Sequence, residues 1–324
     1  MEKTMNLSYV IGVDMGGTNT AFGVVDARGN ILYRGEISTG DYVTGEEYVE
    51  ALGTAINTVV EQNGLTGQIK GIGMGVPDGN MNDGTIVRAA NIPWAKHIVF
   101  PLTQQLTGKT GLPCKLTNDA NAAALGEMIY GSAKGMKDFI VITLGTGVGS
   151  GIVCNGQLVA GHDGFAGELG HVITIRHNGR TCGCGRSGCL ETYTSATGVA
   201  RTAREFLELY PGKKSLLRDI NYRPITSKDV FDAAEKGDPL AIDIFNFTGR
   251  ILGESISDFI AFSSPQAIIL FGGLAHAGKY LLEPLNEAID KNILHLYKGK
   301  TKIIVSQLND AEAAILGASA LAWE

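Results

Sequence analysis

The chain has 324 residues, enough for about two domains, and its 44% hydrophobic and 19% charged residues are an ordinary balance for a soluble globular protein. A net charge of −6 argues against a broad nucleic-acid footprint, and no apolar run approaches the roughly 20 residues needed to span a bilayer. The short polar stretch from Met1 to Ser8 does not read as a signal peptide, which points to the cytoplasm.

Tyr9–Asp14 is an apolar run ending in Asp14-Met15-Gly16-Gly17-Thr18. Ala21–Val25 and Ile31–Ile37 are β-rich and are separated by a turn cluster from Asp26 to Asn30, which predicts a three-stranded meander. Glu46–Gln62 carries Val49, Leu52, Ile56, Val59 and Val60 at helical spacing. Gly71–Val76 and Lys115–Thr117 read as strands, and a helix begins after Asn118 or Asp119 as its cap. The meander pattern then returns: strand Phe139–Leu144, glycine turn Gly145–Gly151, returning strand Ile152–Cys154. Helices are predicted over Thr197–Tyr210, Ser227–Glu235 and Leu240–Phe262, a buried strand over Ala267–Phe271, and a last helix over Ala311–Ala322. A strand, a Gly/Thr-rich turn and a second strand thus occur twice, which suggests two related α/β lobes joined by a short boundary.

His171, Cys182, Cys184 and Cys189 fall within nineteen residues and are the inventory of a closed Cys₃His zinc site. His177 competes for the fourth position. A disulfide pair would need an oxidising compartment, and unrelated core thiols fit poorly with neighbours Gly183, Gly185, Arg186 and Gly188, a loop composition. Cys114 and Cys154 sit alone in apolar contexts and read as buried thiols. Glu168 and Glu191 bracket the knot, which suggests a loop built to grip a polar ligand.

The 44 glycines cluster at strand ends, where they permit sharp turns or close approach to a ligand. The turns Gly16-Gly17-Thr18 and Gly145-Thr146-Gly147 read as phosphate cradles or as plain hairpin turns. Neither fits a P-loop, since no Gly-Lys-Ser/Thr follows, and neither fits the dinucleotide fingerprint, since a strand rather than a helix follows each one. Asp14 could hold Mg²⁺ through water. Asp119, at a helix start, is a general-base candidate or simply an N-cap.

Asp14-x-Gly16-Gly17-Thr18, Gly75-Val76-Pro77, Asn91 before Trp94, Asn118-Asp119-Ala120-Asn121-Ala122, Leu144-Gly145-Thr146-Gly147, Glu168-x-Gly170-His171, Cys182-x-Cys184, Cys189-x-Glu191 and Gly272-Gly273 occur in one order. In that order they resemble the ROK family (repressor, open reading frame, kinase), most of all its bacterial glucokinases, over about Val10 to Ala320. The resemblance implies a two-lobed α/β, actin-like/sugar-kinase (ribonuclease H-like) fold with a ligand cleft between lobes. The lobes would be residues 1–117, with a C-terminal helix 308–324 packing back on them, and residues 118–307 with the zinc loop. It further implies ATP, Mg²⁺ and a structural Zn²⁺ as cofactors, a sugar as substrate, and a homodimer.

By the same resemblance Asp119 is the base for the sugar 6-hydroxyl. Gly75, Asn91, Asn118, Glu168, His171 and Glu191 bind the sugar. Asp14, Gly16, Gly17, Thr18, Gly145, Thr146, Gly147, Gly272 and Gly273 serve the nucleotide, and His171, Cys182, Cys184 and Cys189 hold zinc. Many family kinases carry Gly where Asp78 stands here, which bears on sugar choice. Kinases for other hexoses or N-acetylhexosamines are the neighbouring reading. Family repressors carry an additional helix-turn-helix module, and about eight residues before the first strand are too few for one; no nucleic-acid or membrane partner is expected.

Overall fold

The computed structural model describes residues 8–323; Met1 to Leu7, on which part of the signal-peptide reading rests, lie outside them. Strands β1 (Tyr9–Met15), β2 (Asn19–Asp26) and β3 (Ile31–Ser38) form the meander. Helix α1 (Gly45–Gln62) follows, its N-cap Thr44 accepting the Glu47 N–H. Then come β4 (Ile69–Gly75) and three short strands, β5 (Gly79–Asn80), β6 (Thr85–Val87) and β7 (Val99–Phe100). Helix α2 (Leu102–Thr110) leads to β8 (Cys114–Thr117) and α3 (Asp119–Ile129).

The second half holds β9 (Phe139–Leu144), β10 (Val148–Cys154), β11 (Gln157–Leu158), the one-turn helix α4 (Glu191–Thr194), α5 (Ala196–Leu209), α6 (Ser227–Glu235) and α7 (Pro239–Ser263). It ends with β12 (Ala267–Phe271), α8 (Lys279–Asn292), β13 (Lys302–Val305) and α9 (Asp310–Ala320). Helix α6 starts in a Thr226/Asp229 capping box, and α7 starts at Asp238 with Pro239 in its first turn.

Two five-stranded sheets have the same plan. The first runs β3-β2-β1-β4-β8, the second β11-β10-β9-β12-β13. In the first, β2 is antiparallel to β1 while β4 and β8 run parallel to it; in the second, β12 runs parallel to β9 and β13. The duplication suggested by the two Gly/Thr turns is therefore a repeat of sheet order.

The chain divides into two compact units. Among the described residues, 8–323, the first comprises those up to 136, 151–167 and those from 307, and the second comprises 137–150 and 168–306. This division differs from a break at 117/118, because α3 packs on α9 inside the first unit. A Cβ on Gly126 of α3 would come within 2.9 Å of the Gly317 Cα in α9. The same helix α9 lies on β1 and β4: Cβ atoms on Gly12 and Gly73 would stand 2.0 Å from the carbonyl oxygens of Ile315 and Ala318. The first unit's core is built on the other side of the sheet from Val13, Met15, Phe22, Leu52, Ile56 and Ile72.

Two expectations are corrected. The returning strand begins at Val148, not Ile152, so Gly149 and Gly151 are strand residues. Gly151 is glycine because a Cβ there would lie 2.6 Å from the Ala124 Cβ. Cys154 is exposed, since it ends β10 beside the Asn155–Gly156 hairpin turn, whereas Cys114, though half-buried as a residue, packs against the first unit's core and burial pushes its thiol up to about 12.

Candidate active site

In the first unit, Asp14, Gly75 and Thr117 stand side by side at the carboxyl ends of three parallel strands. The register pairs Asp14 with Gly75 and Gly75 with Thr117. This is where ligands bind in α/β sheets, because side chains and helix N-termini converge there. Asn118 and Asp119 follow at once. Asn118 caps α3 by accepting the Asn121 N–H at 2.7 Å, which leaves Asp119 as the first helical residue, exposed, with its Oδ1 on the Ala120 N–H at 2.8 Å. The N-cap reading thus belongs to Asn118.

Burial, reinforced by the charge of Asp119, pushes the Asp14 carboxyl up to about 6. Asp78 is raised by desolvation and then by Asp119, although the Ala90 N–H bonds to it. Two carboxyl groups thus respond to Asp119, an arrangement that a cation would relieve. Asp78 adopts φ +52°, a left-handed backbone that favours glycine.

Asn91 is exposed and its backbone backs onto Gly17. The Gly16 N–H donates to the Asn19 carbonyl at 2.9 Å, so that donor closes the hairpin rather than serving a cradle. The Thr18 carbonyl accepts the Thr39 N–H at 2.7 Å, and the Thr18 side chain is exposed.

In the second unit, His171, Cys182, Cys184 and Cys189 converge, with one ligand atom of each within 4.8 Å of the others. His177 is exposed and outside this group. Cys184 Sγ and Cys189 Sγ are 3.7 Å apart, and Cys182 Sγ and His171 Nδ1 are 3.7 Å apart. Sulfurs bound tetrahedrally at about 2.3 Å to one zinc-sized ion stand about 3.8 Å from each other, so the donor set fits such an ion. No disulfide forms, and all five cysteines are free. The Arg186 backbone N–H leads in holding the Cys184 thiol down to about 6, whereas burial pushes Cys182 up to about 12.

The other His171 nitrogen, Nε2, lies 3.9 Å from the exposed Glu168 carboxylate. Glu191 starts α4. Its Oε2 accepts the Val148 N–H at 3.0 Å, and its Oε1 lies 3.6 Å from Cys182 Sγ. One carboxylate therefore touches both the cysteine knot and the second glycine turn, and a Cβ on Gly147 would come 2.4 Å from Glu191 Oε2.

The Gly145 N–H closes that turn on the Gly147 carbonyl at 3.1 Å. Gly145 and Thr146 line a cavity of about 440 Å³ together with Ala196, Phe231, Gly273 and His276. Gly272 has φ +96°, and a Cβ there would meet the Leu144 carbonyl oxygen at 3.0 Å. Gly273 has nothing within 4 Å of such an atom. The structure thus brings Gly145, Thr146 and Gly273 to one cavity, and it brings His171, Glu168 and Glu191 to one knot.

Sequence reasoning missed Phe231 and His276 of the cavity wall, which carry no spacing signal. It also missed Arg180, whose neighbours looked like loop, and Thr197, which donates to the Thr146 carbonyl at 2.8 Å.

Repeated sheets of this order, with acids at strand ends and glycine turns after β1 and β9, define the actin-like/sugar-kinase class. The ROK family model matches residues 10–324, and the chain belongs to the ROK family, on its sugar-kinase side. A glucokinase of Halalkalibacterium halodurans is 35% identical over 315 residues, covering 97% of this chain and 94% of the relative. The crystal structure of a ROK family glucokinase from Streptomyces griseus in complex with glucose and AMPPNP is 33% identical, with a TM-score of 0.76, covering 97% of this chain and 98% of that one. More distant relatives include an N-acetylmannosamine kinase of Salmonella paratyphi A, 30% identical over 84% of this chain and 85% of the relative. A xylose repressor of Caldicellulosiruptor bescii is 27% identical over 99% of this chain and 79% of its own length.

Proposed function

We propose that the chain transfers the γ-phosphoryl group of ATP to the 6-hydroxyl of glucose, with Asp119 as general base. The observation that carries this reading is the exposed Asp119 carboxylate at the start of α3, at the carboxyl ends of the parallel strands β1, β4 and β8. An ionised carboxylate there accepts the hydroxyl proton as the oxygen attacks phosphorus, while ADP leaves with the bond to the γ-phosphoryl group broken. Positioning and charge stabilisation carry most of such a reaction.

Asp14 is the residue to hold Mg²⁺ through water, and the cation would supply neutralisation of phosphate charge. Asn91, Asn118, Glu168, His171 and Glu191 are the candidates for the sugar hydroxyls, with the Gly75 backbone beside them. Gly17, Thr18, Gly145, Thr146, Gly147, Gly272 and Gly273 are assigned to the nucleotide, with Gly16 shaping the first turn because its N–H is taken by the Asn19 carbonyl. The cavity beside Gly145, Thr146 and Gly273 has the aromatic and apolar wall that an adenine ring requires, which supports the second half of that assignment.

A zinc ion held by His171 Nδ1 and three thiolates would be closed to water and therefore structural. It would leave His171 Nε2 turned toward Glu168, in keeping with the rule that a ligating histidine bonds through its second nitrogen. Among the described residues no helix is long and apolar enough to cross a membrane. A cytoplasmic homodimer completes the reading, and light scattering on the purified protein tests its assembly.

The deciding experiment is a panel of hexoses and N-acetylhexosamines with ATP, read by coupled ADP release. Glucose is expected to give the highest kcat/KM. A clear preference for N-acetylmannosamine would overturn the sugar assignment while keeping the kinase. No turnover with any sugar, together with sequence-specific DNA binding at nanomolar protein, would establish the repressor reading instead.

A further inference from the structure

Arg180 lies in the metal loop two residues before Cys182, yet its relative exposure is 7%. A buried guanidinium is costly unless its five N–H donors find acceptors. Here Nε and Nη2 donate to the Glu205 carboxylate, and Nη2 also donates to Thr202 Oγ1 at 2.9 Å. Nη1 donates to the Thr192 carbonyl at 2.7 Å and to the Gly198 carbonyl at 3.4 Å. The guanidinium carbon stands 4.5 Å from the centroid of the Tyr193 ring, and the Arg180 backbone N–H donates to the Tyr193 hydroxyl at 2.8 Å.

All these acceptors belong to the elbow formed by α4 and α5. The same elbow holds the second glycine turn at three points. Glu191 Oε2 accepts the Val148 N–H at 3.0 Å, the Gly145 carbonyl accepts the Ala196 N–H at 2.8 Å, and the Thr146 carbonyl accepts the Thr197 hydroxyl at 2.8 Å. None of these donors or acceptors is a cysteine or His171, and of them Glu191 alone also touches the knot, its other oxygen lying 3.6 Å from Cys182 Sγ.

We propose that Arg180 is a positioning residue that fastens the metal loop to the α4–α5 elbow and thereby sets the Gly145–Val148 turn by a path, through Ala196 and Thr197, that does not run through the metal ligands. The kinetic part of its test rests on the sugar-kinase reading. Arginine suits this post because its planar fork spreads five donors over three nitrogens and so reaches Glu205, Thr202, Thr192 and Gly198 at once, whereas a lysine ammonium carries three donors on a single nitrogen. Once Arg180 is removed, Glu205 keeps a partner in Arg201, whose Nε donates to it at 2.9 Å, so the loss falls on the elbow rather than on a stranded carboxylate.

The test uses the full-length, metal-loaded protein. Arg180→Met keeps the volume and removes the charge, a replacement that buried ion pairs often tolerate. Three quantities are measured: metal per chain by elemental analysis, hydrogen exchange of the Val148 amide by mass spectrometry, and the KM values for ATP and glucose. The proposal expects unchanged metal content, faster exchange at Val148, and an ATP KM raised about tenfold or more with a smaller change in kcat. Arg180→Lys should recover little of this.

Thr197→Val cuts one bond between elbow and turn at an exposed position. Its effect on the ATP KM should be less than additive with that of Arg180→Met, because both act through one path. Wild-type exchange and ATP KM in Arg180→Met, with only metal content or melting temperature lowered, would overturn the proposal. If Arg180→Met does not fold, Glu205→Gln paired with Thr197→Val makes the same comparison, and full additivity then overturns it. A wild-type protein that phosphorylates no sugar overturns the kinase reading, whereas the exchange of Val148 still decides the role of Arg180.

Discussion

A Cβ placed on Gly17 would stand 2.8 Å from the carbonyl oxygen of Asn91. The first glycine turn and the loop that presents Asn91 are therefore packed backbone to backbone, and the turn must be glycine for both to keep their places. Gly17→Ala should displace the Asn91 loop, because a backbone oxygen cannot swing aside as a side-chain tip can. The expected outcome is a glucose KM raised about tenfold, with the protein still folded. Steady-state kinetics beside a melting curve checks it, and an unchanged glucose KM would remove Asn91 from the sugar site.

Asp119→Asn should lower kcat by about 10²-fold or more, since the amide cannot take the hydroxyl proton. Glucose binding should survive, because an amide still accepts a hydrogen bond. Calorimetric titration with glucose separates the two effects. Near-normal turnover would sink the assignment of the base.

Asp14 gives a prediction with a sign. Its carboxyl is raised from 3.8 to about 6 in the folded protein, chiefly by burial and then by Asp119. Between those values the folded state binds more protons than the unfolded one, so this group's contribution to stability falls as pH rises from about 4 to about 6 and stays low above that. Asp14→Asn should therefore raise the melting temperature of metal-free protein at pH 8 and do so less at pH 4. Activity should be lost in the same variant. A melting-temperature gain that does not grow with pH would show that Asp14 is not the strained group.

Much of this was legible in the residues. The apolar runs that became β1, β9 and β12 are continuous, and a glycine turn follows each one. Helix α8 escaped notice because Pro284 sits inside it, and proline ordinarily argues against a helix interior. That helix is settled by packing: a Cβ on Gly253 of α7 would stand 2.4 Å from the Leu285 carbonyl oxygen, a closeness with no local signature. Strands β5 to β7 are two or three residues long, too short to show a period of two.

The cluster of three cysteines and a histidine could be picked out by type and spacing, yet the choice between His171 and His177 as its fourth member could not. It depends on the turn at Leu169–His171 carrying one ring to the thiols. Arg180 was illegible for the opposite reason. Its role lies in partners at positions 192 to 205, which the fold alone brings to it.

The knot of His171, Cys182, Cys184 and Cys189 supports the last prediction. Elemental analysis should find about one zinc per chain, following the single Cys₃His set. Cys184→Ser should weaken zinc binding, because a hydroxyl is a poor substitute for thiolate, and Cys184 is the thiol whose ionisation the Arg186 backbone N–H favours. Loss of the metal should free the His171 ring and the Glu168 carboxylate beside its Nε2, so the glucose KM should rise first. The Gly145–Val148 turn keeps its bonds to Glu191, Ala196 and Thr197, none of which is a metal ligand, so the ATP KM should change less. Global unfolding is not expected, because the second unit also buries Val141, Ile142, Phe245, Ile268 and Leu285 away from the knot, unlike a zinc finger whose whole fold depends on its ion. Chelation followed by kinetics in both substrates checks the order of effects, and re-addition of zinc should restore the glucose KM. Protein purified without chelator that holds no zinc, yet phosphorylates glucose fully, would remove both the metal and its part in sugar recognition.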